Sequence, residues 1–198
     1  MNIFSTDFDP KTSAQNLDDL RVNKMIIESA SLLANAIAHH GGSTADLPIS
    51  KISGNPFKTK AWQKHPSCLW VKESRSNYEW LLNHTIALIN EIKGRRGTDH
   101  CMSYNIPVLT RGANFIPIGE LTPFANCTPY KQIEDPVMAY KMTMIYKWEH
   151  DAKEPIWTNS NKPDWYNSEM ILLTSTTEGE FKWTGVRLSR SKRDKNAK

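Results

Sequence analysis

The chain has 198 residues, 39% of them hydrophobic and 23% charged, with a formal net charge of +4 and three cysteines. That length sustains one hydrophobic core without staples, and the odd cysteine count excludes a secreted disulfide scaffold and fits a reducing cytoplasm. No run approaches the roughly 20 apolar residues of a membrane span, and the opening MNIFSTDFD is too short and too acidic for a signal peptide.

The charge is unevenly spread. Residues 187–198 hold six Lys/Arg against one Asp, so +5 of the +4 total sits there and the remainder sums to −1. We expect residues 1–186 to form a single globular domain and residues 187–198 to be a disordered basic tail.

In chain order, NIFS (2–5) reads as a short strand and DFDPK as a turn. A helix then runs from Thr12 or Asp18 to His40, where GGST ends it. Val22, Met25, Ile26, Ser29, Leu33, Ala36 and Ile37 keep the helical period and predict its buried face. Residues 41–64 are a polar surface loop.

A short helical piece opens at His65-Pro66, and a long helix from Ser74 to Lys93 buries Tyr78, Leu81, Leu82, Thr85, Leu88, Ile89 and Ile92. Residues 97–132 are punctuated by Pro107, Pro117, Pro123 and Pro129 and read as irregular. Asp135 caps a third helix, with Pro136 at its first position, that runs to Asp151. MILLTSTTEGEFKWTGV (170–186) suggests two short strands around Glu178-Gly179, with a helix through Met170–Leu173 as the alternative. The expected fold class is mainly α with minor β: a single compact helical domain with long loops and a short C-terminal strand pair.

On a helical wheel Arg21, Lys24 and Glu28 share one narrow stripe beside the core face, continued by Ser31 and Asn35. Asp19 lies on the opposite border. Such a stripe is either a solvated face, with Lys24 and Glu28 paired for about 0.3 kcal/mol, or the wall of a cleft. In the second reading the carboxylate acts as base or electrostatic stabiliser, and a nearby amine acts as nucleophile.

Lys72, Arg75, Asn77 and Tyr78, in WVKESRSNYEW, carry donors suited to phosphate or base contact. The structural alternative has Ser74 capping the helix and Tyr78 in the core. Trp157, Trp165 and Tyr166 either pin a turn or stack on unpaired bases. His65, Cys68, His100, Cys101 and Cys127 include no CxxC pair, and there is no Gly-rich phosphate loop. Neither a metal nor a cofactor is therefore expected.

Several pieces recur together: Met1–Phe4, Asp9-Pro10, LDDLRVNKMIIESASLL (17–33), HPSCLWVKESRSNYEWL (65–81), TPF (122–124) and DPVMAY (135–140). Their order resembles a group of small phage-type uncharacterised proteins. More distantly it is similar to the pyrimidine-dimer DNA glycosylases, the endonuclease V-like family.

That second resemblance implies a small helical enzyme in which an amine attacks the sugar C1′, forms a Schiff base and cleaves the strand. It places Glu28 in the carboxylate role and Arg21 on phosphate, with Lys24 a weaker contact. The best-known members attack with the α-amine of a Thr exposed by removal of the initiator Met. Asn2 is too large for efficient removal, so the α-amine of Met1, with a reference pKa of about 8, or else Lys24, takes that role here.

Arg75, Asn77, Lys72 and His65 complete the expected DNA/phosphate-binding set, with Asp19 and Tyr78 in support. The expected function is a cytoplasmic, phage-encoded enzyme with glycosylase/lyase-like activity on a damaged or modified pyrimidine. Its partner is DNA or a nucleotide, and no membrane is involved. The alternatives are a non-enzymatic accessory protein that binds nucleic acid or a host protein, and a nucleotide-modifying enzyme on the same scaffold.

Overall fold

Aspartate, histidine and proline stand at the starts of most of the helices. The computed structural model describes residues 2–178, and among them seven helices follow one another. They are α1 (Pro10–Gln15), α2 (Asp19–His39), α3 (Pro66–Glu73), α4 (Arg75–Arg96), α5 (Ile106–Gly112), α6 (Pro136–His150) and α7 (Ser168–Glu178).

Proline opens α1, α3 and α6 in the same way, each behind a side-chain cap. The Asp9 carboxylate accepts from Thr12 N at 2.7 Å, His65 Nδ1 from Ser67 N at 3.2 Å, and Asp135 from Val137 N at 2.9 Å. Gly97, at φ 68°, closes α4 in the left-handed conformation that glycine adopts without a Cβ clash.

The two predicted core stripes are where the structure places them. Every apolar residue named for α2 and α4 is buried, and the two helices pack against each other. Helix α1 lies across α4, so the flank of α4 that looks polar is covered. There Trp80 Nε1 donates to Phe8 O at 2.6 Å, and His84 Nδ1 meets Pro10 O at 3.0 Å. Helix α6 is buried almost all round and is bolted to the start of α2.

Three expectations need correction. Residues 2–6 form no strand, because their backbone groups pair with side chains: Asn2 Oδ1 accepts from Ile3 N at 2.8 Å, and Ser13 Oγ accepts from Thr6 N at 3.1 Å. Of the two starts expected for the first helix, the structure takes the second, at Asp18, with α1 standing apart before it. The stretch 97–132 contains α5, because Pro107 sits in its first turn, where proline starts a helix instead of stopping one. The C-terminal strand pair is absent from the described residues, since 168–178 is α7. Residues 179–186 and the basic tail lie outside them.

Candidate active site

Asp18 precedes α2 but makes no side-chain cap to it. Its carboxylate instead accepts from Trp148 Nε1 at 2.9 Å and from Arg21 Nη1 at 3.0 Å, and it is 2% exposed. The other Arg21 amine pairs with Asp151, just past α6. Arg21 thus ties α2 to α6 and is itself buried. Its guanidinium holds the helices together instead of facing outward.

One and two turns further along α2, the same stripe opens. Lys24 Nζ is 3.3 Å from Glu28 Oε1, with side-chain exposures of 65% and 18%. Glu28 is therefore half-buried at the edge of a solvent-facing lysine. Its second oxygen, Oε2, accepts the backbone N–H of Asn2 at 2.8 Å. That bond draws the start of the chain onto this carboxylate. Met1 itself lies outside the described residues.

His65 borders the same place. Its Nδ1 is occupied by Ser67 N, so the neutral ring carries its proton on Nε2. Burial pushes the His65 imidazole below its ordinary value, and the Glu28 carboxylate pulls the other way. Across from α2, Lys147 stands one turn before Asp151 on α6, half-buried and within electrostatic reach of Arg21, Lys24 and Glu28. Burial pushes its ammonium below the ordinary lysine value, and the Arg21 charge adds to that shift.

Two clefts include members of the cluster, Arg21 in one and His65 in the other, and Glu28 lines neither. One, of about 590 Å³, is lined by Asp18, Arg21, Arg96 and Asp151, and the other, of about 450 Å³, by Lys60, Trp62, Gln63, Lys64 and His65. Among the described residues no group of three His, Cys, Asp or Glu side chains is placed to hold a metal.

The remaining expected residues lie elsewhere. Lys72 is buried, its carbonyl meets His40 Nε2 at 2.9 Å, and its Nζ reaches Gln63 O at 3.4 Å. His40 ends α2, so this contact is about 18 Å along the helix from Glu28.

Arg75, Asn77 and Tyr78 belong to the same distant end. Ser74 Oγ caps α4 by accepting from Asn77 N at 3.1 Å and donates to Glu120 O at 2.7 Å. Asn77 is fully buried: its Nδ2 donates to Trp70 O and Thr122 Oγ1, both at 2.8 Å, and its Oδ1 accepts from Thr122 N at 2.9 Å. Arg75 N donates to Pro117 O at 2.7 Å, and Tyr78 OH donates to Leu109 O at 2.7 Å. The motif SRSNY therefore straps the proline-rich segment 116–124 onto α4.

Asp19 faces the other side of α2, where Arg95 Nη1 at 3.1 Å and Thr158 Oγ1 at 2.6 Å hold it. Trp157, Trp165 and Tyr166 pack on Trp148 with ring centroids at 5.0, 5.4 and 4.9 Å. They pin the turn to α6. Of the expected site residues, then, the structure gathers Glu28, Lys24, Arg21 and His65.

Sequence reasoning missed Lys147. It lies on a helix read only for its caps and apolar positions, and no spacing signal links it to α2, more than a hundred residues earlier. The one available cue was a lysine set among Met, Tyr and Trp in KMTMIYKWEH.

The sequence profile of the family described as pyrimidine dimer DNA glycosylase matches residues 1–105, which span α1 to α4 and hold Arg21, Lys24, Glu28 and His65. No curated protein and no solved structure matches the chain.

Proposed function

The chain belongs to the pyrimidine dimer DNA glycosylase family, and from that premise we propose that it excises a damaged or modified pyrimidine from DNA at Glu28. The observation that carries this reading is the bond from Asn2 N–H to Glu28 Oε2 at 2.8 Å. It holds Asn2 against a half-buried carboxylate, and this reading gives the role of nucleophile to the α-amine of the residue before it.

The chemistry divides among few groups. The lone pair of the Met1 α-amine forms a bond to the sugar C1′ as the bond from C1′ to the base nitrogen breaks. The base leaves with the electrons of the broken C1′–N bond and takes up a proton from water. The Glu28 carboxylate stabilises the positive charge that develops on the sugar and accepts the proton released by the attacking amine. Opening of the sugar ring then gives an imine. The imine acidifies the C2′ hydrogen and permits loss of the 3′ phosphate with strand cleavage. The target nucleotide must leave the base stack before any of this.

Lys24 is exposed and already paired with Glu28, so we assign it to phosphate rather than to attack. Lys147 offers a second cation on the α6 side, and His65 Nε2–H offers a neutral donor. Arg21 positions the stripe through Asp18 and Asp151. Arg75, Asn77, Lys72 and Tyr78 act on the scaffold, as does Asp19.

The test is borohydride reduction in the presence of duplexes carrying a thymine dimer, hydroxymethyl pyrimidine, uracil or an abasic site. We expect a covalent protein–DNA adduct with at least one of them, and peptide mass mapping should place it on the N-terminal peptide. An adduct on Lys24 would reassign the nucleophile. No adduct and no base release on any of the four would overturn the reading.

A further inference from the structure

The loop that leads into His65 has a composition unlike the rest of the chain. Between Asp46 and Glu73 there is no acidic residue, while Lys51, Lys58, Lys60, Lys64 and Lys72 all fall there. Lys51, Lys58, Lys60 and Lys64 are exposed, whereas Lys72 is buried behind the loop. A body whose formal charge is close to neutral thus presents a run of exposed lysines with no acidic residue within the run, and the run leads into His65, which borders the Glu28 cluster.

In the middle of this surface stands an unburied indole. Trp62 is 54% exposed at φ 64°, a left-handed conformation that costs a bulky residue free energy. Its carbonyl accepts from His65 N at 2.9 Å, and its ring meets the His65 ring edge-on at 6.2 Å. Trp62 is an aromatic face flanked by lysines, one residue-width from the histidine that borders Glu28.

Resting on the reading of Glu28 as a DNA glycosylase centre, we propose that Trp62 is a wedge that enters the base stack beside the target nucleotide, with Lys60 and Lys64 holding the flanking phosphates. An extruded nucleotide leaves its neighbours without a stacking partner, and an apolar ring inserted at that step fills the gap. Because the gap exists only in a paired, stacked duplex, the ring matters for duplex substrates and little for an unpaired strand.

The test uses the full chain in the Glu28→Gln background, so that no chemistry is required. The probe is a duplex containing a tetrahydrofuran abasic analogue beside 2-aminopurine, together with the same strand unpaired. Glu28→Gln should raise 2-aminopurine fluorescence on the duplex. Adding Trp62→Ala should remove that rise and weaken duplex binding about tenfold, with single-strand affinity changed by less than about twofold. Trp62→Phe should restore most of the signal.

Equal losses on duplex and single strand, an unchanged duplex signal, or no duplex binding by Glu28→Gln at all would overturn the wedge. The glycosylase reading fails separately. A protein that never traps on DNA but still unstacks the probe through Trp62 loses its chemistry and keeps its wedge. One that forms product with Trp62→Ala at the wild-type rate on duplex keeps its chemistry and loses the wedge.

Discussion

Two stretches of this chain look alike on paper: the α2 stripe with Arg21, Lys24 and Glu28, and the SRSNY junction of α3 and α4 with Lys72, Arg75 and Asn77. Both set cations and hydrogen-bonding side chains at a helix start among apolar residues. They differ in where their polar atoms go. At the junction Asn77 is fully buried and every polar atom of its side chain is used by Trp70 and Thr122. On α2 the stripe begins equally spent, at Arg21, and then opens at Glu28, which meets an exposed lysine and the start of the chain. Exposure separates them where residue type does not: the lysine paired with Glu28 is 65% exposed, whereas Asn77 is fully buried.

The largest effect that would break this distinction is at Glu28. Glu28→Gln keeps an acceptor for Asn2 N–H and removes only the charge and the basicity. We expect product formation to fall about a thousandfold in single-turnover assays, with stability within about 0.5 kcal/mol of the parent in urea titration. A variant that unfolds while its folded fraction stays active would place Glu28 with the scaffold.

Asn77→Ala should do the reverse. Removing three buried hydrogen bonds and loosening the 116–124 strap costs about 2–4 kcal/mol, read as a fall in the urea midpoint. Activity per folded molecule should stay close to wild type. Loss of DNA binding at undiminished stability would restore the junction to the site.

A third measurement sets the scaffold side on a pH axis. Burial drives His84, wholly enclosed under α1, from its ordinary value of 6.5 down to about 4. Between those values the unfolded chain binds a proton that the folded chain refuses, so stability rises with pH across that window. It should be flat above about 6.5, fall as the pH drops, and level off below about 4, for a total of roughly 3 kcal/mol. His84→Gln should flatten the curve. An unchanged slope would assign the pH dependence to other groups.

How much of this was legible in the sequence follows from what each feature depends on. The faces of α2 and α4 could be read because burial repeats every 3.6 residues and both helices are long. The start of α2 was legible only as a choice between Thr12 and Asp18, and deciding it needed Trp148 and Arg21, partners that tertiary packing supplies to Asp18.

The strand expected at 2–5 fails for a related reason. Asn2 and Ser13 take the backbone bonds that a neighbouring strand would have made. Glu28 and Lys24 were legible as a stripe, and the family resemblance is what proposed them as a site. Lys147 was not, since nothing local announces that α6 lies across from α2. Trp62 was hidden inside a loop whose sequence gives only its polarity.

The smallest effect, and the sharpest for the comparison, is at Lys147. A half-buried ammonium whose charged form is disfavoured by burial and by Arg21 works against folding. Groups of that kind persist where function needs them. Lys147→Met keeps the length of the side chain and discards the charge. If Lys147 contacts phosphate, DNA affinity at low salt should drop about tenfold and the slope of log affinity against log salt should shrink by about one. Stability should hold or rise, because the burial penalty has gone. A scaffold lysine gives the opposite pair of results, with stability lost and the salt slope untouched. The two outcomes cannot be confused, and they decide whether the opening on α2 has a second wall on α6.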